Sequence, residues 1–389
     1  MKLHSLAYME FGGKSYAWTL DDLSLIEINL IVGKNSTGKS RVLRVINGLA
    51  RLIDGTLPPG GIVSGSYKAV LKDTPTARKD LGPDYVYQIE IHEGKVQREI
   101  LEVGGIEKLN RGENGRGRVY FEKIRDYIDV QIPEPQLASA TRRDSQQHEY
   151  FEVLHDWAKS VRYYESARTE VNAFSAFEGK LNADAFGNSP LQSQLHLAVK
   201  IGKERFGHDL LSLVISDMRR IGYEITDFGL MPAIGVISPI GNSSSMQTLY
   251  LSENGIDKKL SQNEISDGML RAFSTLLFLH FIRLQKKQGC FLIDDIGEGL
   301  DYDRSTKLIA VVIEQAEKGH LQLVMTTNDR FVMNGVPLKY WSVMQRNNGR
   351  VSVYNERNSA DRFADFEEFG FNNFDFFAKQ FFSAGVATT

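Results

Sequence analysis

Two periodicities alternate along the chain. Near its start, β-like runs span Leu3–Phe11 and Ser15–Leu20, and the apolar run Ile26–Val32 reads as a buried strand. The segment RVLRVINGLARLI (Arg41–Ile53) then repeats its apolar residues at helical spacing. A Gly/Pro-rich stretch, Asp54–Gly65, closes it. Beyond it, DYVYQIEIH and KVQREILEV alternate with period two around Glu93-Gly94, the pattern of an antiparallel hairpin. Asn114-Gly115 ahead of GRVYF predicts another.

Pro133 and Pro135 mark a linker, after which Thr141–Gly222 reads as mainly helical. Leu195, Val199, Leu210, Leu213, Val214 and Met218 recur near helical spacing. No heptad pattern is sustained over several repeats, so no long coiled-coil arm is expected. From about residue 223 strands and helices return. The expectation is an α/β protein in three segments: an N-terminal lobe over 1–135, a helical insert over 136–222 and a C-terminal lobe over 223–389. The Phe-rich segment FADFEEFGFNNFDFFAKQFF is expected to pack on the C-terminal lobe, with docking of a partner protein as the alternative.

Composition narrows the class. Lysine plus arginine total 46 against 49 acidic residues, so the net charge of -3 gives no global pull toward nucleic acid, and any such contact must be local. A single cysteine, Cys290, excludes disulfides within the chain and fits a reducing cytoplasm. No run of about eighteen apolar residues occurs, so no membrane span is expected. The histidines show no metal-ligand spacing. The cluster RGENGRGR (Arg111–Arg118) reads as a solvated turn, with phosphate contact as the sharper alternative.

The strongest chemical signal is GKNSTGKS, a P-loop between the apolar strand and the first helix. Gly33 and Gly38 allow the backbone to curl so that its N–H groups, through Lys34, Asn35, Ser36 and Thr37, point at phosphates. Lys39 suits the β- and γ-phosphates, Ser40 suits Mg²⁺, and Arg41 follows in the first helical turn. ATP with Mg²⁺ is the expected ligand pair.

A second signal is CFLIDDIGEGLD, an apolar strand ending in two carboxylates, as a Walker B segment does. Asp294 would hold Mg²⁺ through water, and Asp295 would polarise the attacking water. A third is ISDGMLRAFSTLLFLHFI, in which Ser-Asp-Gly opens an apolar helix and could be no more than an N-cap.

INLIVGKNSTGKS, ISDGMLR and FLIDDIGEGLD together resemble the motifs of the SMC/RecF/OLD-like ABC ATPases, whose relatives work in DNA repair and in prokaryotic defence against phage. The resemblance covers the head domain and is weak in the helical insert. It implies a P-loop NTPase fold in which the ATPase domain is interrupted by the insert. It also implies that Ser266, Asp267 and Gly268 form a signature facing the ATP of a second subunit, that Asp301 lies in a D-loop, and that ATP drives a homodimer.

Several positions depart from that group's pattern. Glutamate is usual where Asp295 stands, and aspartate is shorter by one C–C bond, about 1.5 Å, so slow hydrolysis is expected. After the next strand, LQLVMTTNDRF supplies Asn328 in place of the switch histidine; its amide can bond a phosphate but does not titrate. A Q-loop glutamine is not evident. RYYESART resembles the strand-like entry to the insert and brings in Arg168 as a further site candidate. The expected function is a cytoplasmic ATP hydrolase switching a separate effector, a nuclease or toxin, in DNA repair or anti-phage defence. A transporter subunit and an ATP-binding scaffold with little turnover are the alternatives.

Overall fold

The computed structural model describes residues 1–72, 82–165, 174–175, 194–233, 246–285, 288–319, 321–368 and 370–383. In chain order, β1 (Lys2–Glu10), β2 (Trp18–Ser24) and β3 (Ile28–Gly33) lead into α1 (Lys39–Ile53). Then come β4 (Ser64–Lys72), β5 (Asp84–His92), β6 (Lys95–Val103), β7 (Ile106–Arg111), β8 (Arg116–Phe121) and β9 (Asp126–Gln131). They are followed by α2 (Ala138–Thr141), α3 (Glu149–Ser160), β10 (Val161–Glu165), β11 (Phe174–Ser175) and α4 (Leu195–Arg220). Next are β12 (Ile225–Pro232), β13 (Met246–Glu253), β14 (Leu260–Ser261), α5 (Asp267–Leu284) and β15 (Cys290–Asp294). Last come α6 (Tyr302–Gly319), β16 (Gln322–Thr326), α7 (Arg330–Gly335), β17 (Trp341–Asn347), β18 (Arg350–Asn355), α8 (Glu356–Glu368) and α9 (Asn373–Ala378).

The chain forms two compact units, one of Met1–Val161, Gln288–Cys290 and Pro337–Thr389, the other of Arg162–Lys287 and Phe291–Val336. These units are set by compactness, whereas the three expected segments follow motif order, so the two divisions fall at different places.

In the first unit the strand order is β3-β17-β18-β2-β1-β4-β5-β6-β7-β8-β9. β17 runs parallel to β3 and β18 parallel to β2, while the meander from β4 to β9 is antiparallel throughout. β4 and β5 bury alternate residues, as a sheet covered on one face requires. At the β5–β6 turn both Glu93 (φ 49°) and Gly94 (φ 74°) take positive φ, the geometry that matches strand twist in a two-residue hairpin. The expected strand from Ser15 starts at Trp18 instead. Two successive turns, closed by Lys14 N–H on the Phe11 carbonyl and Ala17 N–H on the Lys14 carbonyl, use up the intervening residues.

One side of α1 is apolar and packs with α3, which buries Tyr150, Phe151, Leu154 and Trp157. The aromatic tail packs within this unit: Phe376 is fully buried, 4.6 Å from Phe363, 5.1 Å from Phe366 and 6.4 Å from Trp341 of β17.

Within RGENGRGR, Gly112, Glu113, Asn114, Arg116 and Arg118 are exposed, as a solvated turn requires, but Arg111 departs from that reading. Arg111 neither lies in a solvated turn nor faces outward: it is fully buried, 3.4 Å from the Glu99 carboxylate, and donates to the carbonyls of Ile132, Pro133 and Gln136. Glu99 in turn accepts from the N–H groups of Ala138 (2.7 Å) and Ser139 (3.0 Å) and from the Tyr87 hydroxyl (2.8 Å). This buried pair pins the Pro-rich connection and the start of α2 to the sheet. Arg118, by contrast, is exposed and pairs with Glu107.

In the second unit, the neighbouring strands are β10, β15 and β16, and a smaller sheet runs β11-β13-β12 with β14 on β13. α5 is buried nearly all round from Gly268 to Ile282, so its sequence carries little amphipathic signal. It packs against α4 and α6. The expected helix Leu195–Ile221 is present as α4 but is broken at Gly207 (φ 50°, ψ -122°), a conformation that glycine adopts without Cβ strain. Among the described residues, no helix is long and apolar enough to cross a membrane.

Replacing Arg111 by Met leaves a buried carboxylate short of its cation. The expected outcome is a loss of about 3 kcal/mol in unfolding free energy by urea titration. A solvated arginine would move it by less than about 0.5 kcal/mol.

Candidate functional site

In the first unit, β3 buries all six residues and ends at Gly33, so no side chain competes for the loop that follows. A Cβ at Gly33 would lie 2.8 Å from Thr37 Oγ1 and 2.9 Å from the Met344 carbonyl, closer than any real side chain stands. Lys34, Asn35 and Ser36 are exposed, and Ser36 takes φ 65°. Thr37 Oγ1 donates to the Lys34 carbonyl at 2.8 Å, and Arg346 of β17 donates to the Ser36 carbonyl at 3.1 Å. Gly38 is the N-cap of α1 at φ 106°, where a Cβ would lie 2.9 Å from the Trp18 ring.

The loop therefore turns on glycine conformations and leaves the first N–H groups of a fifteen-residue helix without helical acceptors. Lys39 is buried and its ammonium lies over the loop, 2.8 Å from the Gly33 carbonyl and 3.4 Å from that of Lys34. Ser40 and Arg41 are half-buried in the first turn. Arg41 stacks 4.6 Å from the Trp18 ring and pairs with Glu10; burial, with Arg346 and Arg44 nearby, holds its guanidinium below the usual arginine range. The result is a positively polarised cradle made of backbone, one ammonium and one hydroxyl. Trp18, Glu10 and Arg346 were not legible as its supports, because each reaches the loop from another strand.

In the second unit, β15 is likewise buried at every position and delivers Asp294 at its end, 3% exposed. The Thr326 hydroxyl donates to Asp294 Oδ1, and Tyr163 of β10 lies 3.5 Å from Oδ2, at the outer limit of a hydrogen bond. Asp295 has φ 51°, a left-handed conformation rare outside glycine. Its N–H donates to Thr326 Oγ1 at 2.9 Å, and its Oδ1 accepts from Asn328 Nδ2 at 3.1 Å. Asn328 is exposed just beyond β16.

Ser266 is the N-cap of α5, accepting from Met269 N–H at 3.4 Å; it and Asp267 are exposed. Gly268 is buried, and a Cβ there would lie 2.6 Å from the Gly299 carbonyl. Arg271 donates to the Glu298 carbonyl at 3.1 Å. The start of α5 thus packs on the segment after β15 within the same chain. Asp301 caps α6: its carboxylate accepts from Arg304 N–H (3.0 Å) and Arg304 Nη1 (2.9 Å). That backbone bond first, and the guanidinium charge, hold its pKa below the usual aspartate range. Arg168 lies outside the described residues.

As to a cation, no group of three or more His, Cys, Asp or Glu among the described residues could hold a metal ion by itself. A carboxylate such as that of Asp294 is the donor type taken by a hard ion like Mg²⁺, which keeps waters and binds one or two carboxylates together with phosphate. Cys290 is a buried thiol whose pKa burial pushes up to about 12, so it is not a soft ligand at neutral pH.

A family model matches residues 28–334, from β3 through the segment after β16, under the description "AAA domain, putative AbiEii toxin, Type IV TA system". The chain belongs to this AAA-domain family. That family, and the order of the motifs along the chain, agree with the resemblance to SMC/RecF/OLD-like ABC ATPases. Among solved structures, the AAA-domain chain is similar to the SmcHead bound to the C-winged helix domain of ScpA, at 13% identity and TM-score 0.51, with 91% of this chain and 97% of that chain covered. That likeness shows the fold, a mixed α/β P-loop head. It is also similar to the Smc head domain with an extended coiled coil from Pyrococcus furiosus (12% identity, TM-score 0.46, 94% and 99% covered). The SMC head domain from Thermotoga maritima gives 13% identity and TM-score 0.43, with 91% and 99% covered. No curated protein matches the chain.

Gly268→Ala separates a packing role from a role toward a second chain. Contact with the Gly299 carbonyl predicts a loss of about 1–3 kcal/mol in the isolated monomer, read as a lowered melting temperature without nucleotide. An unchanged melting temperature would show that Gly268 is not needed within its own chain.

Proposed function

We propose that this AAA-family chain binds ATP with Mg²⁺, hydrolyses it slowly, and uses the cycle as a switch for a separate partner protein. The P-loop carries the reading: a fully buried strand, two obligatory glycines, and a buried lysine folded over the N-terminus of α1. Residues Gly33 to Arg41, including Lys34, Asn35, Ser36, Thr37 and Gly38, take the phosphates, with Lys39 as the cation and Ser40 and Asp294 on Mg²⁺. Asp295 polarises water, and Asn328 stands where a γ-phosphate sensor would. Ser266, Asp267, Gly268 and Asp301 act toward a second copy, so that ATP favours a homodimer. The lobes 1–135 and 223–389 form the ATPase domain around the insert 136–222.

The similar SmcHead is bound to a winged-helix domain of another protein, and the family description names a toxin of a toxin–antitoxin system. The first is support for a separate partner protein and the second for a toxin–antitoxin setting; in this reading the partner is a nuclease or toxin, and the pair acts in the cytoplasm in DNA repair or anti-phage defence. A near-balanced charge argues against strong nucleic-acid binding by one chain alone. A scaffold with little turnover is the second reading, favoured by the bond that already engages Asp295 Oδ1 with Asn328.

Lys39→Ala should abolish binding of labelled ATP, since it removes the cation that faces several phosphate charges. Wild-type affinity in that variant would remove the P-loop assignment. Asp295→Asn keeps its shape and ATP binding but slows turnover, so dimers should accumulate with Mg-ATP in light scattering, and adding Ser266→Arg should return them to monomers. An ATP-bound Asp295→Asn chain that stays monomeric rules out the shared-nucleotide dimer. Turnover equal to wild type in that variant would favour the scaffold reading.

A further inference from the structure

We infer that Thr326, at the end of β16, is a positioning residue that sets both carboxylates of the Walker B segment through one hydroxyl. This rests on the ATPase reading above and assigns a residue which that reading does not use. A threonine hydroxyl has one proton to give and lone pairs to accept with. Here the proton goes to Asp294 Oδ1, which leaves the lone pairs for Asp295 N–H at 2.9 Å. The Thr326 carbonyl adds a bond from Ile296 N–H, also 2.9 Å, so one residue grips three consecutive positions.

The grip matters because Asp295 stands at φ 51°. An L-residue there costs on the order of 1 kcal/mol and persists only where surrounding bonds over-determine it. Thr326 supplies the backbone bond, while Asn328 holds the side chain. Asp294 is buried and needs donors to stay oriented; among the described residues Thr326 and Tyr163 supply hydroxyl contacts to it, and that of Thr326 is the shorter. Without the hydroxyl, the turn after β15 loses the bond that fixes where Asp295 points. A short carboxylate has little reach with which to compensate. β-branching restricts χ1 of Thr326 and keeps the hydroxyl aimed.

The test compares Thr326→Val, which keeps the shape and removes the hydroxyl, with Thr326→Ser, which keeps the hydroxyl. The readouts are ATP affinity, phosphate release, and hydrogen exchange at the Asp295 amide. Thr326→Val should bind ATP within about 2-fold of wild type, turn it over about 10- to 100-fold more slowly, and lose protection at Asp295 N–H. Thr326→Ser should restore turnover and protection. Should the Val variant not fold, Thr326→Ala against Thr326→Ser compares side chains that differ by one oxygen. Wild-type turnover in Val or Ala overturns the positioning role while leaving the ATPase reading intact. So does an equal loss of binding and turnover that Ser does not rescue. A wild-type chain that neither binds nor hydrolyses ATP overturns both.

Discussion

β3 and β15 are buried at every position, and this constraint governs the rest. A strand with no exposed side chain can place a charge only where it ends, because an unpaired charge inside would cost several kcal/mol. Both strands end in polar groups: the loop of Gly33–Ser40 in one case, Asp294 and Asp295 in the other. Glycines let the first curl, and a threonine from the neighbouring strand steadies the second.

Support is arranged differently in the two units. Around the P-loop, bulky groups press against glycine: Trp18 beneath Gly38, and the Met344 carbonyl against Gly33. Space there is so limited that a methyl group would displace the backbone. Around Asp294 and Asp295 the supports are hydrogen bonds instead, from Thr326, Tyr163 and Asn328. Close packing suits a cradle whose donors are backbone N–H groups. A bonded arrangement suits carboxylates, whose orientation decides what they can polarise.

Two sequence features proved structural once their surroundings were known. Arg111 opens a basic cluster that reads as a solvated turn, yet its guanidinium is spent on Glu99 and three carbonyls. Gly268 belongs to a signature-like motif, and its lack of a Cβ is already needed against the Gly299 carbonyl in its own chain. Neither fact opposes a second role for the motif. Each shows that residue type alone does not say which neighbour imposes it.

The sequence by itself determined what depends on local spacing. Period-two alternation around Glu93-Gly94 placed a hairpin whose strands end where the pattern ends, and an apolar run before GKNSTGKS placed the P-loop between a strand and a helix. Those signals reside in neighbouring residues, so no partner from afar is needed to read them. Only the tertiary structure decided which distant groups complete them. Thr326 meets Asp295 across 31 positions, Tyr163 meets Asp294 across 131, and Arg346 meets Ser36 across 310. A hydroxyl or guanidinium carries no mark in the sequence of the atom it will bond. That choice is made by the packing of strands, which brings their ends together whatever their separation along the chain.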